Sequence, residues 1–404
     1  MRKFLLATSA LVAFAGVAQA APSPIDVTVG GYVDFRAAQF HESSIAPFAA
    51  NRRSYDFETA YKVNVEAAGK ASNGIEYGAL VSLTNEATST NNYAAGGTTA
   101  KIDQSYVWLS GGWGKVLFGD SHGASDLFVS APTVGEGQID GKYVDFTDSL
   151  VRLRAAGVDA EENSTKVSYF TPKVGNANHK LQAAVSFAPN VGVQGQNVAI
   201  IKNRVAYNDF LEGSVQYTGN WNPVTAVISA TASGANGGGG MAGMWRTPPC
   251  LGCGGMLVSS RPDNFTSFGF GAQLGYEGFT IGGSYVDTGK STTTITDICP
   301  RCLIPMTDTN RSKSGDVWTI GGKYEFDKTA VAINYLDGSG RFPLGGAISD
   351  VIVKNFSAVG VGATYKCYPG MTSAVDAVLF SQKDVGADKS NDGHVFMLSQ
   401  KFAF

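Results

Sequence analysis

From Val27 onward, apolar and polar side chains alternate one residue at a time. Val27, Val29, Gly31, Val33, Phe35 and Ala37 fall on one face, and Thr28, Gly30, Tyr32, Asp34 and Arg36 on the other. A strand sends successive side chains to opposite sides, so this period of two predicts a strand with one apolar and one charged face. The pattern returns at Phe57, Thr59, Tyr61, Val63 and Val65 against Glu58, Lys62, Asn64 and Glu66, and again at Trp318, Ile320 and Tyr324 against Thr319, Lys323 and Glu325. Carried along the chain, it predicts sixteen strands, near 26–39, 54–69, 75–86, 101–111, 114–120, 165–172, 180–188, 210–221, 224–233, 264–277, 279–289, 315–326, 329–338, 354–367, 372–382 and 393–404. Connections after even-numbered strands are short, as at Ser72-Asn73-Gly74 and Asn222-Pro223, whereas those after odd-numbered strands are mostly long. Val198–Tyr207 also looks like a strand, but counting it gives an odd number, so 189–209 is read as a loop.

Soluble sandwiches alternate too. Two features favour a membrane. Aromatic residues such as Trp108, Tyr217, Trp221, Tyr276, Tyr285, Trp318, Tyr335 and Phe380 recur near strand ends, where transmembrane barrels carry girdles at the headgroup level. An even strand number with short turns at one end and long loops at the other is the second. The fold class expected is all-β: a transmembrane antiparallel β-barrel of about sixteen strands.

Composition sharpens this reading at three points. Arg2 and Lys3 precede an apolar stretch from Phe4 to Val17, and Ala18-Gln19-Ala20 supplies a small-x-small cleavage pattern. Residues 1–20 are therefore expected to be a cleaved export signal, leaving 21–404 as a single barrel domain. Past that signal no apolar run approaches the ~20 residues that a membrane helix needs. With Arg2 and Lys3 removed, 29 basic residues face 34 acidic ones, a net charge of −5, which excludes a generally basic nucleic-acid binder.

Several segments resemble the general porins of Gram-negative bacteria, the trimeric sixteen-stranded outer-membrane channel family. These are Val27-Thr28-Val29-Gly30-Gly31-Tyr32-Val33-Asp34; the hairpin from Trp108 to Asp120 around Gly111-Gly112-Trp113-Gly114; Lys166-Val167-Ser168-Tyr169-Phe170-Thr171-Pro172; and the close Phe396-Met397-Leu398-Ser399-Gln400-Lys401-Phe402-Ala403-Phe404. The resemblance spans the mature chain, and its specificity lies in the order of the pieces together with the terminal Phe. It implies a passive diffusion channel for small hydrophilic solutes and ions, embedded in outer-membrane lipid, assembled as a homotrimer and needing no cofactor. It also implies that the outer-membrane assembly machinery reads Phe404 and Phe402, and that the third outer loop folds into the pore.

That loop corresponds to residues 120–165. A connection this long is ordinarily functional or disordered, and Leu127, Phe128, Val134, Tyr143, Val144, Phe146 and Leu150 provide apolar mass that could pack against a wall. It holds nine acids against Lys142, Arg152 and Arg154, a net of −6. Asp126, Glu136, Asp140, Asp145 and Asp148 are the candidates for an acidic constriction. By strand phase they would face Arg36, Lys62, Glu58 and Glu66 on the pore wall. Rings of carboxylates favour cations, so a weak cation preference is expected, strongest at low salt.

Cys250 and Cys253, and Cys299 and Cys302, form two Cys-x-x-Cys pairs on the fifth and sixth outer loops. In a cytosolic chain this would suggest zinc; in an exported one it favours disulfides, whose pairing stays open. His41, His122, His179 and His394 show no metal-ligand spacing and read as polar loop or lumen residues. Asp388 and Asp392 in the last outer loop read as a solvated turn. Rival functions are an outer-membrane adhesin or binding barrel, and a barrel enzyme. The latter needs a positioned nucleophile and base, and no Ser–His grouping near a strand end supplies one.

Overall fold

The computed structural model describes residues 25–43, 53–86, 100–136, 138–139, 141–147, 163–190, 194–195, 207–237, 241–245, 256–262, 264–289, 293–298, 305–310, 315–342, 351–384 and 390–404. The proposed export signal at 1–20, Asp140, Asp148 and the four cysteines Cys250, Cys253, Cys299 and Cys302 lie outside the described residues.

The described residues form one closed antiparallel barrel. Its strands are β1 Asp26–Glu42, β2 Tyr55–Lys70, β3 Glu76–Thr84, β4 Lys101–Gly111, β5 Gly114–Asp120, β6 Thr165–Phe170, β7 His179–Asn190 and β8 Tyr207–Trp221. They continue as β9 Val224–Gly237, β10 Phe265–Tyr276, β11 Phe279–Gly289, β12 Gly315–Phe326, β13 Thr329–Phe342, β14 Val351–Tyr368, β15 Met371–Asp384 and β16 Ser390–Ala403. Val174–Gly175 also pairs with β7 and extends β6 beyond the bend at Pro172. Each strand pairs with its neighbours in sequence, and β1 pairs with β16 from Tyr32↔Ala403 to Glu42↔Gly393. Closure is required because an open edge in hydrocarbon would leave backbone groups without hydrogen-bond partners, at several kcal/mol each.

All sixteen expected strands are present, with ends shifted by a few residues. Of the segment 189–209, read as a loop, both ends belong to strands, since β7 runs to Asn190 and β8 starts at Tyr207 with Asn190 opposite Asn208, while 198–206 lies outside the described residues. The larger correction lies in the fifth and sixth outer loops. They are not plain connections: Met241–Trp245, Met256–Pro262, Thr293–Ile298 and Pro305–Asn310 form a separate four-stranded antiparallel sheet. Leu257 lies opposite Ile298, so the two loops are joined by backbone pairing. None of the four alternates apolar with polar residues, so the period of two does not mark them.

The period of two is realised as inside and outside. Val27, Val29, Val33 and Phe35 are exposed on the outer wall, while Asp34, Arg36, Ala38 and Phe40 are buried within. The same holds on β16, where Phe396, Leu398 and Phe402 face out and Val395, Met397 and Ser399 face in. Not every aromatic belongs to the girdle. Trp108 and Phe380 point inward, Trp108 beneath the Lys115 ammonium at 4.6 Å from its ring centre, and Phe380 against Tyr143 at 6.3 Å. His41 and His394 are a further correction, since both lie on the outer face and not in the lumen.

Candidate functional site: the inward collar

The connection after β5 turns into the barrel and follows its inner wall strand by strand. Two short 3-10 turns, Ala124–Leu127 and Lys142–Phe146, shape it. The Ala124 N–H donates to Glu212 Oε1 on β8 at 2.7 Å and to Ser186 Oγ on β7 at 2.9 Å. Further along, the Val129 N–H donates to Ser229 Oγ on β9 at 2.9 Å, and Gln273 Nε2 on β10 donates to the Ser130 carbonyl at 2.7 Å. The Ala131 N–H donates to Thr319 Oγ1 on β12 at 3.2 Å. Asn334 Nδ2 on β13 donates to the buried Gln138 Oε1 at 2.6 Å, and the Glu136 N–H donates to Asp376 Oδ2 on β15 at 3.2 Å.

These contacts make the segment a collar against the wall. Wall side chains satisfy its irregular backbone, which burial would otherwise leave costly. Small wall residues let it approach: a Cβ on Gly271 would sit 1.7 Å from the Val129 carbonyl oxygen, and one on Gly321 3.3 Å from the Ala131 Cβ. The far end is held by apolar packing. Tyr143 and Phe146 enter a buried cluster with Phe40, Val317, Leu336, Phe356, Val378, Phe380 and Met397. Burying side chains of this kind contributes about 1.5–3 kcal/mol each.

Charge concentrates where the collar reaches β1 and β16. The Arg36 guanidinium, fully buried, contacts Asp34 at 2.7 Å, Glu86 at 3.0 Å, Glu58 at 3.2 Å and Glu136 at 4.0 Å. Lys401 on β16 reaches Glu136 at 2.5 Å and lies 4.2 Å from the Tyr32 ring centre. Lys142 of the collar closes on Glu86 at 2.7 Å. Burial pushes the Glu86 carboxyl up, but the hydrogen bond and charge of Lys142, followed by those of Arg36, outweigh it and hold the group at about 2. The exposed Asp145 adds its charge beside Glu58. Asp34, Glu58, Glu86, Glu136 and Asp145 thus gather around Arg36, Lys142 and Lys401, leaving the cluster two charges negative.

The remaining candidates are spread out. Lys62 faces inward but pairs with Asp103 at 2.7 Å, on the wall and not on the collar. Glu66 lies on the inner face nearer the short-turn end, within range of Tyr106, as Asp126 also is. Asp126 sits half-exposed on the first 3-10 turn, 2.9 Å from His122 Nδ1. Glu86 and Lys401 were missed by sequence reasoning. The strand phase of Lys401 marks it as inward, and the expected strand 75–86 puts Glu86 on its polar face, although in the structure Glu86 lies two residues past the end of β3 at Thr84.

A closed barrel with a charged inner wall and a collar along that wall defines a transmembrane passage. The sequence matches the family model of the Gram-negative porins over residues 7–384, and the chain belongs to that family. It is an outer-membrane channel. OmpF of Salmonella typhi, solved in complex with daunomycin, has the same fold with a TM-score of 0.55 at 12% identity, over 94% of this chain and 98% of that one. OmpT expressed in the outer membrane of Vibrio cholerae gives 0.54 at 10% identity, over 96% and 100%. In-vitro folded OmpT, solved in a trimer form, gives 0.53 at 11% identity, over 94% and 99%. No curated protein matches the sequence.

Proposed function

We propose that the chain is a passive diffusion channel for small hydrophilic solutes and ions with a weak preference for cations. The observation that carries this reading is the net-negative cluster around Arg36, where the inner wall meets the collar. Opposed charges across a passage order water and screen solutes, while their sum sets ion preference. The barrel acts without chemistry of its own and needs no cofactor. It works as a homotrimer, a reading supported by the trimer form of the related OmpT fold. Residues 1–20 direct export and are removed, and the assembly machinery recognises the end of β16 through Phe402 and Phe404.

The two Cys-x-x-Cys pairs form disulfides in this scheme. Support comes from the oxidising compartment and from the pairing of Met256–Pro262 with Thr293–Ile298, which joins the two outer loops that carry them.

Planar-bilayer recording tests the central claim. Stepwise conductance is expected, with a reversal potential in a salt gradient that indicates cation preference and fades as salt rises. Replacing Asp126, Glu136, Asp140, Asp145 and Asp148 by their amides should shift that potential toward anions. An adhesin or a barrel enzyme would give no steps, and an unshifted potential would refute the assignment of selectivity to this segment.

A further inference from the structure

The seam that closes the barrel carries two histidines on one face. His41 on β1 lies directly opposite His394 on β16, and both side chains are on the outer wall. At the other end of the same seam, Gly31 and Phe404 exchange both backbone hydrogen bonds, and an antiparallel ladder repeats that arrangement every two residues. His41 and His394 are therefore also a hydrogen-bonded pair, with Cα atoms about 5.5 Å apart and side chains that leave the sheet side by side.

Their rings are 5.8 Å apart, centre to centre. With metal–nitrogen distances of ~2.0–2.1 Å, two imidazoles on one tetrahedral ion put their ring centres roughly 5–6 Å apart. The observed spacing falls in that range with the backbone as it stands. Toward the membrane the same face continues as Phe396 and Leu398, both exposed and apolar, with the Phe396 ring 5.3 Å from that of His394. Toward the loops it continues as Ser43 and Asp392, where Ser43 Oγ accepts from the Asp392 N–H at 2.8 Å. The pair thus stands where the apolar band gives way to water, within reach of a hydrated ion. Nearby charge is balanced. Asp392 is one same-face step outward on β16, and the exposed Arg53 comes two residues before Tyr55, the partner of Gln39. Nitrogen donors, and not net charge, define the site. Imidazole suits zinc, copper and nickel, whereas magnesium and calcium take oxygen ligands.

We propose that His41 and His394 hold one divalent transition ion of the zinc class, which staples the first strand to the last. Water completes its coordination. The two ligands come from opposite ends of the chain and meet only when the cylinder is closed. An ion bound there stabilises the closed barrel by mass action and has no matching site on the open chain. The site is on the outer wall and does not depend on what the channel passes.

The test uses the full mature chain, folded in detergent and free of any affinity tag, with zinc as the probe and magnesium and calcium as comparators. Zinc should raise the temperature at which the heat-modifiable gel band is lost, saturating at one ion per chain, and a chelator should reverse the rise. Magnesium and calcium should leave the temperature unchanged. His41→Phe and His394→Phe, made singly, keep a ring at the seam and remove one ligand. Each should weaken zinc binding at least ~10-fold, since loss of even an outer partner of a metal ligand costs ~10–100-fold. His41→Gln and His394→Gln repeat the comparison without the apolar ring, and metal-free gel migration shows which variants fold. Absence of a zinc effect on the wild-type protein overturns the proposal, as does equal stabilisation by magnesium or a zinc effect that persists in the histidine variants. One ion per two chains would make the pair a bridge between copies, and would overturn it too.

Discussion

The carbonyl oxygen of Val129 fills the space that a side chain on Gly271 would need, 1.7 Å from where its Cβ would lie. The wall strand β10 and the collar therefore share one close-packed contact, in which an atom cannot be added without moving the backbone.

Gly271→Ala should push the collar off the wall and into the lumen. Overpacking of this kind costs about 1–3 kcal/mol, so unfolding in denaturant should begin earlier. Single-channel conductance should fall at the same time. A variant with wild-type conductance would show that the collar contact at β10 does not set the width of the passage.

Acid should leave the Glu86–Lys142 contact intact far below neutrality. With its carboxyl held at about 2, below the ordinary 4.5, Glu86 contributes stability that is fully present above 4.5 and lost as pH falls through about 2. Lys142→Met should move the acid release of the collar, read as protease cleavage within 120–165, up toward the ordinary carboxylate range. Coincident transitions in the two proteins would remove Lys142 as the anchor.

Arg36→Met should destabilise the barrel by about 3–5 kcal/mol, because it strands the fully buried Asp34 carboxylate and leaves the half-buried Glu58 without its partner. Arg36→Lys should restore only part of the loss. One ammonium cannot serve four carboxylates as a planar fork of five donors does. Midpoints of denaturant unfolding in detergent measure both.

At the seam, Phe404 exchanges backbone hydrogen bonds with Gly31 in both directions, at 2.9 and 3.0 Å. Phe404→Ala keeps these bonds, whereas deletion removes them, at about 0.5–1.5 kcal/mol each. If the ring serves recognition, Phe404→Ala should slow arrival in the outer membrane while leaving heat stability nearly unchanged. Pulse-chase labelling of the heat-modifiable form separates rate from stability. Normal arrival would mean that the ring is not read.

Much of the barrel was legible because one face of each strand meets lipid and the other water, so a single phase assigns both. That logic placed Arg36 and Glu58 on the inside before any contact was known. It failed where the physics differs. Trp108 and Phe380 are aromatic and near strand ends, but the lumen here contains apolar packing for the collar, so their type did not report their side. The four-stranded sheet of the fifth and sixth outer loops pairs segments such as Met241–Trp245 and Met256–Pro262, in which apolar and polar residues do not alternate, so the pattern leaves them unmarked. The ion pairs of Glu86 join residues 50 and 56 positions apart, a relation set by barrel register and invisible to local spacing. His41 and His394 meet for the same reason, from opposite ends of the chain.

The β1–β16 seam has a consequence for when folding can happen. The first strand finds its second partner only in the last, so each shorter stretch of chain has two bare edges. A growing chain cannot pass through a series of stable smaller barrels, and the long-range pairing that closes the cylinder is also what makes the final step all-or-none. The time between release of the polypeptide and closure is consequently an interval of exposure, during which β1 and β16 must each be shielded from any other strand that could pair with them.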